Sequence, residues 1–284
     1  MHLVRVDTVS LDEGEAAVDL GQAPGEIVVL SFTDTDLAAI ADAAASEPDL
    51  PALRLAKLAR LRHPMSVDLY VDAVVARARI VVIRCLGGLD YWRYGIERCA
   101  AAARANGVRL VLLPGDDRPD PRLDAHATAP ELAPLLDAYF RAGGRDNLRQ
   151  MLRRLACEAG LDLAYAPPRP LPRGFPCCPG CGPVPLDRAL AAGAPARAED
   201  APHALVLIYR SAALGGDLAP AAALTAALGA RGIGTLVVAV ASLKDSEAVA
   251  AVRAALAARK PDLIIAATAF AAREDAGFVL DGAD

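Results

Sequence analysis

From residue 26 onward, short runs of β-branched and aliphatic residues alternate with longer stretches whose apolar positions recur at helical spacing. That alternation is the pattern of a parallel sheet covered by crossover helices. Ile27-Val28-Val29-Leu30 has no polar position and reads as a buried strand. Asp34-Thr35-Asp36 follows, with side-chain oxygens able to accept the free first-turn amides of a helix running to about residue 45. Leu53-Arg54-Leu55-Ala56-Lys57-Leu58 is an ambiguous strand. Past His63-Pro64-Met65, Ser66 reads as the N-cap of a helix over 67–78, and Ile80-Val81-Val82-Ile83 as a strong strand. Gly87-Gly88 opens the chain into a helix from about 90 to 106, Gly107 stops that helix, and 108–113 forms the next strand.

Residues 115–121, Gly-Asp-Asp-Arg-Pro-Asp-Pro, form a loop at the carboxyl end of that strand, since prolines and aspartates at this density exclude regular structure. Helices over about 129–142 and 146–160 follow, and residues 166–185 are then proline-rich, aperiodic and carry three cysteines. The expected division is an amino-terminal α/β domain at 1–165, a Pro/Cys-rich linker at 166–200 and the start of a second α/β domain at 201–284. The second pattern places strands at 204–209, 234–240 and 262–267 and helices at 219–230 and 245–258, half of a doubly wound sheet. Its last strand is left exposed, so the chain end reads as a truncation. The expected fold is therefore two Rossmann-like or flavodoxin-like parallel-sheet units, the second incomplete.

Composition narrows the function classes. At 284 residues, 54% hydrophobic and 23% charged, the chain is globular and is neither a disordered tail nor a collagen-like repeat. A net charge of -5 makes nucleic acid and anionic membrane surfaces poor partners. The amino terminus lacks the pattern of a signal peptide, and the longest apolar stretch, 233–241, is far short of the roughly 18 residues that a membrane span needs. The expected compartment is the cytoplasm, with all six cysteines as free thiols.

Several chemistries can then be weighed. None of the three lysines follows a glycine and no Gly-x-Gly-x-x-Gly follows a strand, so a Walker loop and a dinucleotide fingerprint are both missing. Cys178 and Cys181 have the C-x-x-C spacing of one thiolate pair on zinc, but no second pair exists, and Cys157 and His203 are the only further donors in range. Free cysteines in a Pro/Gly strap are the preferred reading, with no metal site. Gly-x-Ser-x-Gly is absent and the histidines lie apart, with His126 and His203 reading as loop residues.

His63 lies in a turn at the edge where open α/β sheets bind ligands, as a structural hydrogen-bonder or else a ligand contact. Asp90-Tyr91-Trp92-Arg93-Tyr94 concentrates three of the twelve aromatics past Gly87-Gly88, at another strand's carboxyl end. Aromatic planes with an arginine suit a large flat ligand bearing acidic side chains, while burial of Trp92 and Tyr94 as packing residues is the competing reading. Asp116, Asp117 and Asp120 are either an acid group or turn-makers bonding backbone amides, the latter preferred. Arg210, in Tyr209-Arg210-Ser211, either meets an anion or bridges the two domains.

These segments together resemble the amino-terminal portion of the large, CobN-type subunits of aerobic cobaltochelatases, a family related to the large subunit of magnesium chelatase. The resemblance rests on Asp19-Leu20-Gly21-Gln22, on Leu53-Arg54-Leu55-Ala56 leading into His63-Pro64-Met65-Ser66-Val67-Asp68, and on Arg84 with Gly87-Gly88 and Tyr91-Trp92-Arg93-Tyr94-Gly95. It continues through the run Leu113-Pro114-Gly115-Asp116-Asp117-Arg118-Pro119-Asp120-Pro121, Tyr139-Phe140 with Gly143-Gly144, Tyr209-Arg210-Ser211 and Ser242-Leu243-Lys244-Asp245. It departs at Cys177-Cys178-Pro179-Gly180, where the family carries an aromatic-Pro-Gly turn, and the family's chain continues well past residue 284.

The resemblance implies ATP-dependent insertion of Co2+ into hydrogenobyrinic acid a,c-diamide, with ATP hydrolysed by a separate AAA+ ATPase pair. The missing Walker loop fits that division of labour. His63, Tyr91, Trp92, Arg93 and Arg210 are the residues placed and chemically suited to hold the macrocycle, and no catalytic residue is expected in this part of the subunit. The alternative is a non-catalytic α/β module that docks a protein or a small anion.

Overall fold

The computed structural model describes residues 16–115, 120–178, 182–193 and 201–269, together with the backbone of 273–274 and 277–278. The chain divides at Pro170/Leu171 into two compact units.

In the amino-terminal unit the order is β1 (Ile27–Ser31), α1 (Asp34–Ala44), β2 (Leu53–Lys57), α2 (Pro64–Ala73), β3 (Ile80–Cys85), α3 (Arg93–Asn106), β4 (Arg109–Pro114), α4 (Ala133–Ala142) and α5 (Arg145–Glu158). The four strands form one parallel sheet in the order β2-β1-β3-β4, with Ile27 opposite both Leu53 and Ile80, and Ile80 opposite Arg109. Alternate residues of each strand enter separate cores. Val28, Leu30, Val81, Ile83, Leu110 and Leu112 pack under α2 and α3. Ile27, Val29, Ile80, Val82, Val111 and Leu113 pack under α1, α4 and α5. Burial of both faces is why these strands read as continuous apolar runs with no alternation.

The helix starts differ from the sequence expectation. Thr33, one residue before the acidic triplet, caps α1 by accepting from the Asp36 amide at 3.3 Å. Helix α2 begins at Pro64, whose missing N–H costs nothing in a first turn, and its cap is His63, whose Nδ1 accepts from the Met65 amide at 3.1 Å. Ser66 is consequently inside α2 and buried, its Oγ accepting from the Val18 amide at 2.7 Å. The helix expected from residue 90 starts at Arg93, because Trp92 (φ -141°, ψ 40°) leaves helical geometry to turn its indole inward. Gly107 ends α3 in the left-handed conformation, as expected.

The second unit contains β5 (Gly174–Cys178), β6 (Gly182–Pro183), α6 (Leu186–Ala192), β7 (His203–Tyr209), α7 (Arg210–Leu214), α8 (Ala219–Gly229), β8 (Gly234–Val240), α9 (Ser246–Ala258), β9 (Leu263–Ala266) and the short pair β10 (Arg273–Glu274) and β11 (Gly277–Phe278). Its main sheet, β6-β5-β8-β7-β9, is mixed: β7 is parallel to both β8 and β9, while β5 runs antiparallel to β8. Part of the stretch expected as linker is thus sheet. Pro176 is tolerated inside β5 because its carbonyl faces away from β8 and accepts from the Val184 amide at 3.1 Å. Its missing N–H lies on that same side, so the ladder with β8 loses nothing. Among the described residues no helix is long and apolar enough to cross a membrane.

His203 opens β7 and is 2% exposed, where a loop position was expected, and neither imidazole nitrogen has a hydrogen-bond partner among the described residues. Burial, reinforced by Arg259 and opposed by Asp262, holds its pKa below the ordinary value. The folded state therefore takes up a proton less readily than the unfolded chain. The stability this gives is complete above the unfolded pKa, near 6.5, and is lost progressively as pH falls below that value and through the lower folded one. Urea unfolding of the second unit is expected at a lower midpoint at pH 5.5 than at pH 7.5, and His203→Leu should flatten that difference. An undiminished difference in the variant would assign the pH dependence to other groups.

Candidate functional site

In the sheet order β2-β1-β3-β4 the winding direction reverses between β1 and β3. The crevice outside the carboxyl ends of those two strands is where open α/β sheets take ligands, because the loops on its two sides diverge there. Phe32 follows β1 and Tyr91 follows β3, and their rings meet edge to face with centroids 4.6 Å apart. Tyr91 is 54% exposed, and its hydroxyl accepts from Arg62 Nη2 at 3.2 Å. Leu86 is exposed beside the same turn. Arg62 makes no ion pair among the described residues. Arg93, the first residue of α3, pairs with Asp90.

A second loop closes on this turn. The Asp120 carboxylate accepts from the Leu89 amide at 3.0 Å and from Arg122 Nε at 2.8 Å, and Arg122 Nη1 reaches Asp90 at 2.7 Å. Arg122, followed by the Leu89 amide, holds the Asp120 carboxyl far below the usual carboxylate range. Arg122 and then Arg93 lower that of Asp90. Under the crevice Arg84 Nη1 meets both oxygens of Asp36, at 2.9 and 2.7 Å, and Ser31 Oγ donates to Asp36 at 2.7 Å. The Arg84 guanidinium also lies 5.1 Å from the centre of the Phe140 ring. Beside β4, a cavity of about 270 Å³ is lined by Leu112, Pro114, Asp120, Leu123, Pro134 and Asp137 among others.

The residues expected to hold a ligand fall into different places. Tyr91 and Arg93 come together at the crevice. His63 stands at the start of α2, its Nδ1 engaged in capping, which makes it a structural hydrogen-bonder. Trp92 is 6% exposed, its indole N–H donating to the Leu61 carbonyl at 2.8 Å, and is a core residue here in place of an exposed ligand plane. Arg210 belongs to the second unit, where Nε and Nη2 donate to the Pro172 and Leu171 carbonyls at 2.7 and 2.8 Å, tying down the backbone ahead of β5. Tyr94 braces α2 against α3 by donating to Asp68 at 2.9 Å.

Sequence reading missed Phe32, Arg62 and Arg122 and met Arg84 only within the resemblance, while Asp120 accepts from the backbone amides of Leu89 and Arg122, as its preferred reading as a turn-maker expected. Only Arg84 had a local signal, a charge at the end of an otherwise apolar strand. Asp116 and Asp117 lie outside the described residues, as does Cys181. Among the described residues no group of three or more His, Cys, Asp or Glu is placed to hold a metal. Burial pushes the Cys85 and Cys99 thiols up to about 12, which keeps both from acting as thiolates near neutral pH.

Residues 137–278, half of the chain, match the model of the family described as CobN/Magnesium Chelatase. The chain belongs to this family. It is 37% identical over 287 residues to a protein from Sinorhizobium sp named Aerobic cobaltochelatase subunit CobN, with 95% of the chain covered. A Pseudomonas aeruginosa protein of the same name is 37% identical over 274 residues, again with 95% covered. The chain spans 22% of the length of each of these CobN relatives. Among solved structures it is similar to one described as the Catalytic Subunit of Cobaltochelatase from Mycobacterium tuberculosis. That similarity has a TM-score of 0.58 and 29% identity, over 78% of this chain and 16% of that one. Both the match and the shared architecture agree with the α/β reading and with the resemblance to CobN-type subunits.

Proposed function

We propose that the chain serves a cobaltochelatase of the CobN type by holding the tetrapyrrole substrate at the carboxyl edge of its amino-terminal sheet. The reaction served is ATP-dependent insertion of Co2+ into hydrogenobyrinic acid a,c-diamide, with ATP hydrolysed by a separate AAA+ pair. The observation that carries this reading is the exposed ring of Tyr91, held on edge by Phe32 and flanked by Arg62 and Arg93 at the β1/β3 switch point. An aromatic plane gives apolar contact to a flat macrocycle, and arginines at its margin meet the carboxylates around its periphery. The relatives' names supply the chemistry of cobalt as substrate metal and of a multi-subunit enzyme. This chain's own part is to bind and orient, so that deprotonation of the ring nitrogens and metal entry occur on a fixed substrate.

Titrating the chain with hydrogenobyrinic acid a,c-diamide and following the visible spectrum tests the reading. Saturable binding is expected, weakened between about twofold and tenfold by Tyr91→Ala through the lost aromatic contact. Equal binding by wild type and Tyr91→Ala would remove the site from this edge. A second reading, a protein-docking surface, is favoured by the exposed side chains of Met65, Leu69 and Tyr94 on the neighbouring faces of α2 and α3. In that case the chain binds no tetrapyrrole.

A further inference from the structure

The turn that carries Tyr91 and Arg93 is closed from within by two backbone bonds, the Gly88 amide to the Cys85 carbonyl at 3.2 Å and the Tyr91 amide to the Gly88 carbonyl at 3.4 Å. It begins with Gly87 and Gly88 at φ +83° and +69°, residues whose conformational freedom is the largest of any. A further restraint comes from the other side of the crevice. The Asp120 side chain is only 12% exposed, and one of its oxygens accepts from the Leu89 amide, two residues before Tyr91. A Cβ on Gly88 would lie 2.4 Å from Asp120 Oδ2, so the turn is packed directly against this carboxylate and admits only glycine there. Arg122 extends the contact, binding Asp120 through Nε and Nη2 and then Asp90, which in turn binds Arg93. An alternating series of charges thus runs from the loop after β4 to the first residue of α3.

We propose that Asp120 is a positioning residue for this edge: by fixing the 87–91 turn it sets where Tyr91 and Arg93 stand, without itself touching the ligand. The inference rests on reading the edge as the macrocycle site. Without Asp120 the Leu89 amide loses its acceptor and Arg122 its nearer carboxylate, and a turn with two glycines then samples many conformations, each misplacing the aromatic plane. Asparagine at 120 keeps the shape and one acceptor but gives up the charge that holds Arg122.

The test is a titration of the full chain with hydrogenobyrinic acid a,c-diamide at pH 7.5, comparing wild type, Asp120→Asn, Tyr91→Ala and the double variant. Misplacing the ring cannot cost more than removing it, so Asp120→Asn is expected to weaken binding about fivefold, within the range of Tyr91→Ala. In the Tyr91→Ala background the same change should cost less than about twofold, because its effect passes through the ring already removed. A role confined to general stability would keep its full factor in both backgrounds, and that result overturns the proposal, as does Asp120→Asn binding like wild type. Absence of saturable binding by the wild-type chain instead overturns the site reading, and the positioning role with it. Should Asp120→Asn lose its fold, Arg122→Gln, which leaves the Asp120–Leu89 bond in place, is expected to weaken binding by about threefold with the same dependence on Tyr91. No effect of Arg122→Gln would overturn the proposal.

Discussion

Asp36→Ala is expected to destabilise the amino-terminal unit by about 3–5 kcal/mol, the cost of stranding a charge in a site built for a pair. Asp36, in the first turn of α1, and Arg84, near the carboxyl end of β3, are each 16% exposed. Asp36 takes Arg84 Nη1 on both oxygens and the Ser31 hydroxyl as well, while Arg84 Nε is buried with no acceptor among the described residues. Arg84 thus depends on Asp36 alone for its counter-charge, and the stacked Phe140 ring replaces none of it. Urea titration followed by the fluorescence of Trp92, the one tryptophan of the chain, reads the change in this unit. Replacing both partners by apolar residues, Asp36→Leu with Arg84→Met, is expected to recover most of the loss, because the desolvation penalty leaves with the pair. A single-variant loss below about 1 kcal/mol would mean that water reaches the guanidinium, and the pair would then count as a surface ion pair.

Gly95→Ala is expected to cost about 2–4 kcal/mol, a large effect for one methyl group on a helix. A Cβ at this position would stand 2.1 to 2.4 Å from three atoms of the Trp92 indole. The ring cannot swing aside cheaply, since it is buried and its N–H is committed to the Leu61 carbonyl. Either α3 shifts off the sheet or the indole moves and gives up that bond. The first is overpacking, at about 1–3 kcal/mol, and the second adds about 1 kcal/mol for the hydrogen bond. A red shift of Trp92 emission in the folded variant would identify the second route. In a Trp92→Leu background, followed by circular dichroism, the cost of Gly95→Ala should fall below about 1 kcal/mol. If it does not, the clash is not with the indole.

Trp92 also shows how one residue type carries two readings. Next to Tyr91 in the sequence, it reads equally as a ligand plane or as packing, and the backbone decides between them. At φ -141° Trp92 turns its side chain into the core under α2 and α3, while Tyr91, at the end of a 3-10 turn, is left facing outward. Arg210 presents the same ambiguity. Its place after β7 suited an anion contact, but two backbone carbonyls ahead of β5 take its donors, and that segment's strand was hidden by prolines whose harmless orientation only pairing with β8 reveals.

What the sequence alone determined is whatever depends on neighbours within a few residues. The doubly apolar strands, the helices between them, the Gly107 stop and the parallel winding follow from local periodicity and from the free amides and carbonyls at helix ends, and so does the resemblance to CobN-type subunits. What only the tertiary structure decided are the contacts between loops. Arg84 meets Asp36 across 48 residues and Asp120 meets the Leu89 amide across 31. The physical reason is the crossover connection: each returning strand brings a new loop to the same edge of the sheet, and strand order and register select which loops face each other.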